Sequence, residues 1–203
     1  MFLLLICLTF GLASIVCSYN ASQIFNGTGI VYVKLKNYED DLPPDCQSVQ
    51  VTQKDGASWH VRFRKFRFPL NDTRHRRIFC YDTTASISDN KAKNASIFTY
   101  KKGSSTENHE LIFVNSAANC WILQQLQDSE SSGESKRKQQ QLKEPSNKCH
   151  LFVNDTLLNY DIPKDCLDEF IKKCVNIVSS YRALCKTEEE DPASCKTATS
   201  PGC

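Results

Sequence analysis

The chain has 203 residues, 40% hydrophobic and 24% charged, with a formal net charge of +2. That near balance argues against a nucleic-acid binder. No segment reaches the ~20 apolar residues of a membrane span, so no span is expected. The charge is nonetheless uneven: residues 60–77, HVRFRKFRFPLNDTRHRR, hold seven Lys/Arg and one Asp, leaving −4 for the rest.

The N-terminus, MFLLLICLTFGLASIVCS, is an uncharged apolar run with Val16 and Ser18 placed for cleavage before Tyr19. Residues 1–18 read as a signal peptide, and the protein as secreted and extracellular. Its removal takes away Cys7 and Cys17 and leaves Cys46, Cys80, Cys120, Cys149, Cys166, Cys174, Cys185, Cys195 and Cys203. In an oxidising compartment these predict a disulfide framework. The number is odd, so one thiol is free or bonds between chains; the expectation is a monomer, with a disulfide dimer as the alternative. Sequons at Asn20, Asn26, Asn71, Asn94 and Asn154 mark candidate glycosylation sites.

From Ile30 to Val153 the chain predicts strands. GIVYVKLKNY is rich in β-branched and aromatic residues, and SVQVTQ alternates. In SWHVRFRKFRF, Trp59, Val61 and Phe63 share one phase while Phe66 and Phe68 fall on the other, which predicts a bulge or bend near Arg64–Lys65. RRIFCYDTT, NASIFTYKK, HELIFVNS, NCWILQQL and KCHLFVND complete a set of eight, separated by Gly, Asn, Asp and Ser. Eight strands with no long helix among them predict an antiparallel meander or barrel. Residues 127–148 carry one Leu among polar and small residues, so they read as a mobile loop within a domain spanning 19–185.

After Pro163 the period changes. Leu167, Phe170, Ile171, Cys174, Val178, Tyr181 and Cys185 recur at three and four residues, predicting an amphipathic helix capped by Asp165. Cys166 and Cys174 would stand about 12 Å apart along it, too far to bond each other, so each must reach another segment. Residues 186–203 form a polar tail.

No HExxH, GxSxG, CxxC pair or phosphate-binding glycine loop is present, so no enzyme, metal or cofactor is expected. His60, His75, His109 and His150 read as ordinary strand or surface residues. The basic stretch is either a solvated strand face and turn or a site for an anionic partner such as a heparan-type glycan, a phospholipid surface or an acidic lipid.

VKLKNYEDDLPPDC, NCWIL, CHLFV and NYDIPKDCLDEFIKKC together resemble the tick salivary lipocalins, the histamine-binding family, over residues ~29 to ~185. The resemblance implies an all-β lipocalin-like (calycin) fold: an eight-stranded antiparallel barrel with a C-terminal helix packed on it, stapled by disulfides. It implies a carrier that sequesters a biogenic amine such as histamine, or a lipid mediator such as a leukotriene, and so suppresses host inflammatory defence. The alternative is a protein- or glycan-binding module acting through the basic surface. The family's ligand-binding positions fall here on Tyr38, Asp41, Trp121, His150 and Phe152. Trp121 and His150 stand where the family carries acids, which favours a more apolar ligand. The resemblance also implies Cys120–Cys166, and Cys46 paired with Cys174 or Cys185; elimination then leaves Cys80–Cys149.

Overall fold

The computed structural model describes residues 29–38, 46–67, 77–90, 95–115, 117, 119–126, 147–181 and 185. The signal segment, Asp41, the sequons at Asn20, Asn26, Asn71 and Asn94, loop residues 127–146 and the tail lie outside the described residues.

All eight expected strands are present: β1 (Ile30–Lys36), β2 (Cys46–Asp55), β3 (Ser58–Arg67), β4 (Arg77–Asn90), β5 (Ala95–Lys102), β6 (Ser105–Asn115), β7 (Cys120–Gln125) and β8 (Cys149–Asn154). Each pairs antiparallel with the next, and β1 pairs with both β2 and β8, which closes the barrel. Closure satisfies both edges of the sheet. The β2–β3 and β5–β6 hairpins have two-residue loops, Gly56-Ala57 and Gly103-Ser104. Gly56 (φ 56°) and Gly103 (φ 62°) supply the positive φ that a primed turn needs at its first position.

The bulge expected near Arg64–Lys65 is not there. β3 runs against β4 without a break from Ser58↔Ser86 to Arg67↔Arg77. The irregularities fall on β1 between Val33 and Leu35, on β2 between Val51 and Gln53, and on β6 between Leu111 and Phe113. On β1 the extra residue moves the chain from one packing layer to another. Val31 and Val33 belong to the barrel interior, whereas Leu35 joins the layer under the helix. In β3 the phase never switches, so Lys65 follows Val61 and Phe63 and lines the interior.

A short 3-10 turn (Asp155–Leu157) leads from β8 toward α1 (Lys164–Lys173). Cys166 and Phe170 are fully buried one turn apart, and Cys174 follows at the same spacing. The cap is Pro163 rather than Asp165: Pro163 is extended (ψ 136°) and Lys164 is the first helical residue. Asp165 instead sits in the first turn, where its charge complements the helix dipole and it accepts a hydrogen bond from Asn115.

The helix is also shorter than its periodicity suggested. Cys174 is extended (φ −120°, ψ 107°) and Asn176 is left-handed (φ 71°). Val178–Ser179 then form a short β9 that pairs with Leu35 and Lys36 of β1. β-branched Val175, Ile177 and Val178 favour that extended outcome. Tyr181 keeps its apolar role by meeting Tyr32 edge to face, ring centroids 5.8 Å apart.

Three disulfides join described residues: Cys120–Cys166, Cys149–Cys174 and Cys46–Cys185. Cys166 and Cys174 thus reach separate strands, and Cys46 takes Cys185 of its two expected partners. The Cys80–Cys149 pairing is overturned. Cys149 is fully buried under the helix, within reach of Cys174, while Cys80 lies on β4, four strands away in the sheet order. Cys80 is itself disulfide-bonded. No helix among the described residues is long and apolar enough to cross a membrane.

Candidate functional site

The barrel encloses a cavity of about 490 Å³, inside the range of roughly 300–1,000 Å³ usual for small-ligand sites. Strand direction divides its lining in two. Tyr38 follows β1, Gln47 opens β2, Lys65 nears the end of β3, Lys102 ends β5, Glu107 lies early in β6, Gln125 ends β7 and Lys148 precedes β8. In an antiparallel barrel these ends gather at one rim, which is therefore polar. Toward the other rim the lining is Val31, Val33, Val49, Phe98, Trp121, Leu123 and Phe152, continuous with buried Trp59, Val61, Ala85 and Leu111.

Between mouth and floor runs a belt of rings. Tyr38 meets His150 at 5.4 Å, and their side chains share a hydrogen bond of 2.6 Å between the hydroxyl and Nε2. His150 lies 6.0 Å from both Phe152 and His109. His109 stacks on Tyr100 (5.4 Å, 10°), and Tyr100 meets Phe63 at 4.5 Å. Phe63 in turn stacks on Tyr81 at 4.9 Å. Below the belt, Trp121 and Phe152 lie parallel at 6.0 Å and 6°. Such pairs stabilise by about 0.5–1.5 kcal/mol each beyond their area burial.

Burial sets the ionisation of the belt. The Tyr81 and Tyr100 hydroxyls bond to one another, and burial holds both phenols far above their ordinary range. His109 is 4% exposed. Burial, with the charge of Lys102 second, pushes its pKa down to about 4, so the ring is neutral at pH 7. Neither of its ring nitrogens has a hydrogen-bond partner among the described residues.

The mouth is basic. Lys65, Lys102 and Lys148 all line it. The Lys36 and Lys148 ammonium groups lie 5.4 and 5.1 Å from the Tyr38 ring centroid. Glu107 is the one carboxylate in the described lining. It accepts a hydrogen bond from Gln125, and Lys102 Nζ lies 3.8 Å away. Among the described residues no group of three or more His, Cys, Asp or Glu could hold a metal ion.

Of the expected ligand-binding residues, the fold brings Tyr38, Trp121, His150 and Phe152 to one cavity, and Asp41 lies outside the described residues. Asn154, the one described sequon, is partly exposed at the end of β8 and accepts a hydrogen bond from Thr156. Sequence reasoning missed Glu107 and His109. It began the sixth strand at His109, whereas β6 begins at Ser105. Carried back two residues, the alternation of Leu111 and His109 places Glu107 on the same inward phase.

No protein-family model matches this chain, and no curated protein sequence does. Solved structures of similar shape exist at low identity. Japanin from Rhipicephalus appendiculatus, solved bound to cholesterol, aligns with a TM-score of 0.54 and 10% identity over 75% of this chain and 91% of its own. A variant of LTBP1 in complex with leukotriene C4 gives 0.47 and 16% over 82% and 90%. Lobster apocrustacyanin A1 gives 0.45 and 11% over 80% and 79%. The closed barrel, the helix packed on it and the likeness to Japanin show the lipocalin-like fold.

Proposed function

We propose that this protein is a secreted carrier that sequesters a small acid-headed lipid in its barrel. The observation that carries this reading is the division of the cavity: an apolar floor beneath a mouth whose described lining holds three lysines and one carboxylate, Glu107, which is engaged by Gln125 and Lys102. An acyl chain gains from the floor at about 25 cal/mol per Å² buried, and its carboxylate gains from the lysines. A biogenic amine would enter against Lys65, Lys102 and Lys148, and the Lys36 and Lys148 ammonium groups already lie beside the Tyr38 ring that it would need. Secretion is supported by the three described disulfides and the N-terminal apolar run. The resemblance to tick salivary lipocalins gives such a carrier its purpose, the removal of a host inflammatory mediator.

Calorimetry with leukotriene C4, histamine and serotonin tests the reading. The lipid should bind and the amines should not. Lys102→Glu with Lys148→Glu should weaken the lipid at least tenfold. Tight histamine binding that Asp41→Ala abolishes would overturn the assignment. The glycan-binding alternative loses part of its basis, because Arg62 is paired with Asp82, Arg64 is buried against Gln50 and Lys65 lines the cavity.

A further inference from the structure

Ser48, Arg64 and Cys80 form one row across β2, β3 and β4, in register. Phe63 and Lys65, on either side of Arg64, take the inward phase, so Arg64 points to the outer wall. No described helix packs across that wall. Ser48 is nonetheless 2% exposed, Arg64 7% and Cys80 5%. Arg64 donates from Nη2 to the Gln50 amide oxygen, a neutral acceptor. Asp82 feels the Arg64 charge, but Arg62 holds both of its oxygens. Among the described residues, neither Arg64 Nε nor Ser48 Oγ has a hydrogen-bond partner. A guanidinium does not lose its charge, and burying it without a carboxylate is costly. The row calls for an anion that also covers it.

The disulfides point to its source. Cys185 is tied to Cys46, two residues before Ser48 on β2. Cys120–Cys166 and Cys149–Cys174 use four more cysteines, and Cys80 is bonded as well. Of the cysteines that follow the signal segment, Cys195 and Cys203 alone remain to bond Cys80, and both lie in the tail. Between Cys185 and either of them the chain carries Glu188, Glu189, Glu190 and Asp191. Cys46 and Arg64 stand two residues and one strand spacing apart, roughly 8 Å. Three residues of chain, from Cys185 to Glu188, span up to about 10 Å.

We infer that the tail crosses the outer wall from β2 to β4, stapled at Cys46 and Cys80, and that its acidic run 188–191 supplies the carboxylate for Arg64 and an acceptor for the Ser48 hydroxyl. The partner of this basic wall is thus the chain's own C-terminal segment, whose four acids outweigh Lys186 and Lys196. The inference stands apart from the cavity and its ligand.

Two measurements on the full chain test it. Proteolysis without reduction, followed by mass spectrometry, should yield a peptide pair that joins Cys80 to Cys195 or Cys203. A free Cys80 thiol, or a bond from it to any other cysteine, would overturn the inference, and this map needs no variant. The charge is tested by denaturant unfolding. Glu188→Gln, Glu189→Gln, Glu190→Gln and Asp191→Asn combined leave Arg64 buried and unpaired, and should raise the unfolding equilibrium constant about tenfold or more, the size of a hydrogen bond between charged groups. Adding Arg64→Met, which keeps an apolar stem of similar length, should restore most of that loss. An unchanged equilibrium in the neutral tail, or an equal effect of Arg64→Met with and without the tail acids, would mean that the tail does not meet Arg64. A loss of lipid affinity in Arg64→Met as large as in Lys102→Glu with Lys148→Glu would assign the guanidinium to the cavity and overturn the inference as well.

Discussion

β7 and β8 are buried on both faces, and the two faces are built differently. Toward the helix, Cys120, Ile122, Cys149, Leu151 and Val153 are all fully buried against Phe170 and Cys174. Toward the cavity, their immediate neighbours Trp121, Leu123, His150 and Phe152 line an open volume. One face is packed as a core normally is; the other leaves room for a ligand. The division follows from strand geometry, since successive side chains point to opposite sides. It also explains why CWIL and CHLFV read as continuous apolar runs rather than as alternating ones. The packed face keeps the barrel wall rigid, and that rigidity holds the cavity open.

Adjacent residues on β8 give the sharpest way to break the comparison. Leu151→Ala should cost about 2–5 kcal/mol, because it opens a closed void under the helix. Phe152→Ala removes a larger side chain but only enlarges an existing cavity. It should cost about 1.5–3 kcal/mol and weaken lipid binding far more than Leu151→Ala does. Denaturant unfolding and ligand titration on the two variants check this. A larger stability loss at Phe152 would mean that the cavity face is a packed core after all.

The staples belong to the packed face. Replacing Cys149 and Cys174 together by Ser should cost about 2–4 kcal/mol, in line with a sequence separation of 25 residues. The loss should appear as a fall in unfolding midpoint, with the barrel's far-ultraviolet signature retained.

The cavity face predicts an acid sensitivity of its own. His109 titrates at about 4 in the fold against an ordinary value of 6.5, so between those values the unfolded chain binds the proton and the folded chain does not. Its contribution is therefore full above pH 6.5 and lost as the pH falls toward 4, with a total on the order of 3 kcal/mol at most. His109→Phe should flatten the stability–pH curve in that window. Persistence of the same slope in the variant would place its origin elsewhere.

The sequence made the barrel legible because each strand carries its own local signature and each turn its own punctuation. Trp121, His150 and Phe152 were named through the resemblance to the tick salivary lipocalins, and the alternation of β7 and β8 turns all three toward the cavity. Two features stayed hidden for physical reasons. The helix was read past Cys174 because a three- and four-residue spacing cannot distinguish continued helix from an extended strap that buries Tyr181 another way. The pairing of Cys149 depends on which strand lies under the helix's end, which no local pattern records. Glu107 and His109 were missed because the strand was read too short and a lone histidine gives no sign of its burial.

The outer face of β3–β4 extends the comparison to a wall on which no helix among the described residues packs. There Arg62 donates from Nε and Nη2 to Asp82 at 2.7 and 2.8 Å, and this bond holds the Asp82 carboxyl below its ordinary range. Asp82 is 48% exposed and Arg62 28%, so water screens the pair. Asp82→Asn should then cost less than about 1 kcal/mol despite the two-pronged geometry. The lowered carboxylate contributes only above its unfolded value, and that contribution fades as the pH falls below about 3.8. Its window therefore lies beneath that of His109, and a titration of both variants separates them. A loss at Asp82 as large as that at Leu151 would mean that the uncovered wall, and not the helix-backed one, carries the barrel's stability.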